Sequence, residues 1–204
     1  MSKDQFCAFL QQSLEVLAAH SVDGSIHHVF MDWRHLSALL DVGAEVFVEL
    51  KNIAVWVKNN AGMGSFYRSQ HEMVAIFKNG TAPHLNNFEL GQHGRHRSNV
   101  WHHAGVNTYR TGRMDDLTMH PTVKPVDLIA NAIRDVSARG DIVLDIFGGS
   151  GSTLIAAHKT GRRAYLTEID PVHCDTIIAR YETFTHDEAV RASTSSVSGV
   201  VDDE

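Results

Sequence analysis

The sequence predicts an α/β fold, a Rossmann-like parallel sheet with crossover helices, and three observations carry that prediction. Residues 126–184 alternate helix, strand, helix, strand, helix, the pattern of parallel strands joined by crossovers. A buried-looking strand at 142–147 runs into a glycine-rich turn, Gly148-Gly149-Ser150-Gly151, that opens a helix. An acid, Glu168, closes the next apolar strand, 23 residues after Asp145.

Each element has a local reason. Phe6, Phe9, Leu10, Leu14 and Leu17 share one helical face, so residues 5–19 form an amphipathic helix, with Ser2 and Gln5 as a capping box at its start. After Asp23-Gly24, residues 25–32 read as a strand, and a helix covers about 34–46. The β-branched and aromatic runs 53–58 (IAVWVK) and 73–78 (MVAIFK) are strands, separated by an Asn/Gly-rich loop at 59–65. Periodicity then vanishes from 79 to 119, a stretch rich in His, Asn, Gly and Arg that reads as a long irregular insertion. Pro125 opens a helix in which Val126, Ile129, Ala130, Ile133 and Val136 keep helical spacing. The strand at 142–147, a helix at 152–159 closed by Gly161, and a strand at 164–169 follow. Asp170 and Pro171 supply the N-cap and first position of a helix to about Phe184. From His186 the Ser/Thr/Val/Asp composition predicts a disordered tail.

Composition narrows the function classes. A hydrophobic share of 43% against 21% charged residues excludes a disordered or fibrous chain. No apolar run approaches the ~18 residues of a membrane span, and the N-terminus has no signal-peptide pattern. Cys7 and Cys174 form no CxxC pair and read as free thiols of a reducing, cytoplasmic compartment. The net charge of −6 hides a basic segment. Between Lys51 and Arg113 eight Lys/Arg stand against Glu72 and Glu89, an excess of six, which suits a polyanion as well as a mixed solvated surface. Fourteen histidines invite a metal, yet there is no HExxH or CxxC spacing, and His27 and His28 point to opposite faces of their strand. No metal is expected.

The turn itself points to a ligand. Glycines at 148, 149 and 151 permit positive φ and close backbone approach, the helix behind them favours an anionic group, and an acid at Glu168 can accept from both hydroxyls of a ribose. No Gly-Lys-Ser/Thr follows, which argues against a nucleoside triphosphate. By themselves these residues fit NAD and S-adenosylmethionine alike.

The string Asp145-Ile146-Phe147-Gly148-Gly149-Ser150-Gly151-Ser152-Thr153 resembles the DPFxGSGTT cofactor motif of DNA amino-methyltransferases. His120-Pro121-Thr122-Val123-Lys124-Pro125 resembles the HPTxKP segment that precedes it in their β-ordered group. The resemblance spans about residues 5–185 and departs at Ile146, where the family has proline, and at Ser152, where it has threonine. It implies a class I methyltransferase sheet that binds S-adenosylmethionine through His120, Thr122, Lys124, Asp145, Phe147, Gly149, Ser150, Gly151, Ser152, Glu168 and Asp170. Phe147 would lie near the adenosyl group, residues 150–152 would meet the methionine end, Thr122 and Lys124 would close over the cofactor, and Glu168 would hold the ribose. Residues 56–72 (WVKNNAGMGSFYRSQHE) resemble the segment that shapes the target-base pocket. There Phe66 or Tyr67 would stack on an extruded base and Arg68 would hold a phosphate, the alternative being that both aromatics are ordinary core residues. Residues 79–119 take the place of a target-recognition region, with Arg95, Arg97, Arg110 and Arg113 as candidate contacts to double-stranded DNA.

One family feature is missing. The Asp/Asn/Ser-Pro-Pro-Tyr/Trp tetrad that holds the target amine does not occur, since Pro83, Pro121, Pro125 and Pro171 are never adjacent. The catalytic residues are therefore unassigned, and the sheet is expected to lack a central and an edge strand, as in a truncated product. Four regions result: 1–78, the target-base half; 79–119, target recognition; 120–185, the cofactor half; and 186–204, the tail. The function implied is transfer of methyl to an exocyclic amine in DNA, adenine N6 first. The alternatives are a non-catalytic cofactor- or DNA-binding remnant and an NAD-dependent oxidoreductase.

Overall fold

The structure is a computed structural model and describes residues 1–63, 66–92, 94–105 and 123–192. In chain order the elements are α1 (Lys3–Ala19), β1 (Ile26–Met31), α2 (Leu36–Val46), β2 (Glu49–Val57), β3 (His71–Lys78), β4 (Val100–His102), α3 (Val126–Val136), β5 (Ile142–Asp145), α4 (Ser152–Thr160), β6 (Arg163–Leu166) and α5 (Pro171–Thr185). The Ser2–Gln5 capping box is formed in both directions, and the Asp170 carboxylate accepts from the Val172 N–H at the start of α5.

The strands form two sheets, one ordered β1-β3-β2-β4 and one of β5-β6. The expected α/β class holds, and the larger sheet is mixed instead of purely parallel. β3 is antiparallel to both its neighbours because it returns from a hairpin after β2, while β2–β4 and β5–β6 are parallel. β2 starts earlier than the apolar run suggests, with a register shift between Leu50 and Asn52. β4 lies inside the stretch expected to be irregular: Trp101 pairs with Trp56, so part of 79–119 belongs to the main sheet. β5 and β6 stop at Asp145 and Leu166, so Phe147 and Glu168 stand in the loops beyond the strand ends.

Burial explains the layering. α1 and α2 cover one face of the larger sheet through Leu10, Leu14, Leu39 and Val42 against Ala75 and Phe77. A side chain at Gly43 would come within 2.3 Å of the Phe77 ring, so glycine there allows α2 to sit close on β3. The other face meets α3, where Leu128 and Ala132 pack with Ala54, Trp56, Val74 and Trp101. The next flank of α3, through Ile129, Ala130 and Ile133, packs on Ala156 and Ala157 of α4, with Val143 and Ala164 of the small sheet alongside. Phe30 of β1 touches both clusters. α3 thus ties the two sheets together, although among the described residues no strand pairs with the outer edge of β1 or with the second edge of β5.

Candidate functional site

The expected cofactor residues that are described converge at the carboxyl ends of β5 and β6. The Asp145 carboxylate folds the turn, accepting from the Phe147 N–H at 3.0 Å and the Thr153 hydroxyl at 2.6 Å. Gly148 N–H donates to the Thr167 carbonyl at 2.8 Å, and Gly151 N–H to the Gly148 carbonyl at 2.8 Å. Gly151 has φ +74°, and a Cβ there would meet Ile177 of α5 at 3.0 Å, so both the turn and its helix packing require glycine.

Glu168 faces this turn. One carboxylate oxygen accepts from Gly149 N–H at 2.7 Å, and the other from Ile169 and Asp170 N–H at 2.9 and 3.0 Å. The N–H groups of Asp170 and Gly149 hold its pKa below the ordinary carboxylate value, outweighing partial desolvation. The acid is therefore anionic and fixed, and the oxygen bonded only to Gly149 retains acceptor capacity. Phe147 is 59% exposed beside this turn, its ring centroid 5.8 Å from that of Phe9 in α1.

The two serines of the turn are tied into the fold. Ser150 and Ser152 are buried, their hydroxyls 3.2 Å apart; Ser152 Oγ donates to the Lys124 carbonyl at 2.7 Å. Arg180 of α5, which no local sequence signal marks, donates to the Ser150 carbonyl at 2.8 Å and to Ser152 Oγ at 3.2 Å. These hydroxyls build the turn. Lys124 is brought in by that carbonyl, and its ammonium lies 5.0 Å over the Phe30 ring. Asp170 sits beside Glu168, with one carboxylate oxygen engaged in capping α5. His120 and Thr122 lie outside the described residues.

The family model described as DNA methylase, N6/N4 type, matches residues 2–179. The chain belongs to this N6/N4 DNA methylase family. It is 30% identical over 150 residues to the type II methyltransferase M2.DpnII of Streptococcus pneumoniae, covering 70% of this chain and 52% of that protein. It is 31% identical over 118 residues to the DNA adenine methyltransferase YhdJ of Escherichia coli (strain K12), covering 58% and 36%. The methylase chain thus spans about half the length, or less, of these curated relatives. Among solved structures it is similar to the M1.HpyAVI–SAM complex (TM-score 0.70, 22% identity, 84% of this chain and 81% of that one). It is also similar to the cytosine-N4-specific PvuII DNA methyltransferase (TM-score 0.71, 16% identity, 94% and 74%). These structural likenesses establish the class I methyltransferase fold. The NAD-dependent oxidoreductase alternative finds no support in this family.

The candidate DNA residues of the methylase do not form one group. Phe66 and Tyr67 are 83% and 88% exposed with ring centroids 4.4 Å apart, so the core-residue alternative is excluded. Arg68 beside them braces the loop, donating to the carbonyls of Gly62 at 2.9 Å and Ala61 at 3.2 Å. Arg95 and Arg97 both pair with the buried Asp135 of α3, and the Arg97 guanidinium also lies 5.1 Å over Trp101. This internal ion pairing stands where phosphate contacts were expected, and its cause is a carboxylate 40 residues downstream that local sequence does not connect to them. Arg110 and Arg113 lie outside the described residues.

Proposed function

We propose that this chain is the S-adenosylmethionine-binding part of a DNA amino-methyltransferase acting on double-stranded DNA, with adenine N6 as the target. The observation that carries the reading is the anionic Glu168 locked to Gly149 at the mouth of a glycine turn, beside the exposed Phe147. That set fits the cofactor: a carboxylate for the ribose hydroxyls, an aromatic ring for the adenosyl group, and the N–H groups at the head of α4 for the methionine carboxylate. S-adenosylmethionine would supply a methyl group on a sulfonium, and M1.HpyAVI was solved with SAM. What the protein contributes is alignment of the acceptor amine with that methyl, so no covalent enzyme intermediate is required. The named adenine specificity of YhdJ supports N6 over N4. Among the described residues no helix is long and apolar enough to cross a membrane.

We further infer that the groups holding the target amine come from outside these 204 residues. The Pro-Pro-aromatic tetrad is not in the sequence, and among the described residues β1 and β5 each keep an open edge although α3 packs against both sheets. Open edges in a molecule with this much shared core are the place for an added strand. A tritiated-methyl assay on plasmid DNA, followed by nucleoside separation, tests both statements. The chain alone should incorporate no label, and its full enzyme should yield N6-methyladenine. Turnover by the chain alone would contradict the missing-strand inference, and N4-methylcytosine from the full enzyme would contradict the adenine assignment.

A further inference from the structure

Beyond β1 the chain makes a short, tightly held loop that neither composition nor motif singles out. The Asp32 carboxylate organises it, accepting from Arg34 N–H at 2.8 Å and from His35 Nδ1 at 2.6 Å. Partial burial pushes the Asp32 pKa up, but the His35 hydrogen bond and the Arg34 N–H outweigh it and hold the carboxyl below its usual range. Trp33 stands at the tip. Its indole N–H donates to Ser69 Oγ at 2.9 Å, which pins the ring to the loop carrying Phe66 and Tyr67. It is nevertheless 53% exposed, and the Arg34 guanidinium lies 5.2 Å over it. An indole held by its only polar atom and half open to solvent keeps a costly exposed apolar surface.

Position decides what this surface serves. Phe6 of α1 packs on His35 with ring centroids 4.9 Å apart, and Phe9, one turn further along the same helix, packs on Phe147. The segment that follows Trp33 and the glycine turn therefore dock on α1 within one helical turn of each other. Met63, Phe66 and Tyr67 are exposed as well, in the loop to which the Ser69 hydroxyl ties Trp33, and Arg34 and Arg68 are the nearest cations in sequence to these rings. A flat π-surface next to a guanidinium matches a nucleotide, whose base stacks and whose phosphate is anionic.

We propose that Trp33 and Arg34 form a stacking platform for an unpaired DNA base beside the cofactor turn. The proposal rests on the DNA-methyltransferase reading and adds a contact to it. The three tryptophans make it directly measurable, because Trp56 and Trp101 are only 2% and 6% exposed. Quenching of intrinsic emission by a bound base therefore reports Trp33. In a low-salt titration, a duplex carrying one unpaired adenine should quench the emission, and a fully paired duplex should quench it much less. Trp33→Phe should keep the affinity and lose the quenching. Trp33→Ala should weaken binding about 5- to 150-fold, the range expected for one base–aromatic stack. Arg34→Gln should lower the slope of log K against log salt by about one. Binding without quenching, binding unchanged in Trp33→Ala, or equal quenching by both duplexes would overturn the platform while leaving DNA binding intact. No binding of either duplex would overturn the DNA reading itself.

Discussion

Glu168 is the side chain on which the cofactor site turns. It accepts three backbone N–H groups and orders the glycine turn before any ligand arrives. Glu168→Gln replaces an acceptor with a donor that clashes with one of those N–H groups. S-adenosylmethionine affinity should fall roughly 10- to 100-fold by calorimetry, the scale of a charge-assisted hydrogen bond. The pH dependence follows from the depressed pKa. A carboxylate held below the ordinary value of 4.5 keeps its charge above that value and loses it as pH falls through the lower, folded-state value. Affinity should therefore be insensitive to Glu168 protonation from pH 8 to about 5, and a loss near pH 6 assigned to this residue would contradict the geometry. The placement of Glu168 beside the turn and the glycine at 151 were legible in the sequence because a turn that needs positive φ and an acid after the next strand are local features. Arg180 was not legible, since it reaches Ser150 across 30 residues of chain. Trp33 was equally hidden, because its partner Ser69 lies 36 residues away.

At the scale of elements, two contacts hold the larger sheet to what surrounds it. The first is the Arg95–Asp135–Arg97 cluster joining the segment before β4 to α3, reinforced by Asn87, whose side-chain amide donates to the carbonyls of Arg134 and Ser137 at 2.8 Å. Asp135→Ala would leave two arginines facing each other in a largely buried site. Urea unfolding should show a loss near the low end of the ~3–5 kcal/mol typical of a broken buried pair, discounted because both guanidinium groups retain some solvent. A change below about 0.5 kcal/mol would mean the cluster does not anchor the segment. The second is β1 itself. Burial pushes His27 down to about 4, and burial followed by repulsion from His27 and Arg97 does the same for His28. Between pH 6.5 and 4 the unfolded chain binds protons that the folded one refuses, so stability should fall as pH drops through that window. Urea midpoints constant from pH 7 to 4.5 would contradict this, and His28→Gln should reduce the slope. The sequence places both histidines on a strand, but only the packing of His27 on Phe47 and His28 near Trp101 explains their neutrality. β4 escaped the sequence pattern because three residues are too few to show alternation, and its parallel pairing with β2 is long-range.

At the scale of the whole molecule, α3 packs against both sheets and joins them, and among the described residues no strand pairs across from one sheet to the other. The fold class was legible because crossover helices and their caps are local, whereas the division into two sheets depends on long-range strand pairing that no local pattern reports. On the proposed reading, the glycine turn, Glu168 and Phe147 would bind the cofactor, while no residue here is assigned to hold the amine. Titration calorimetry of the intact chain with S-adenosylmethionine, its demethylated product and NAD tests that central claim. Saturable binding of the first two and none of NAD is the predicted result. Binding of NAD, or no binding of either sulfur-containing ligand, would contradict it.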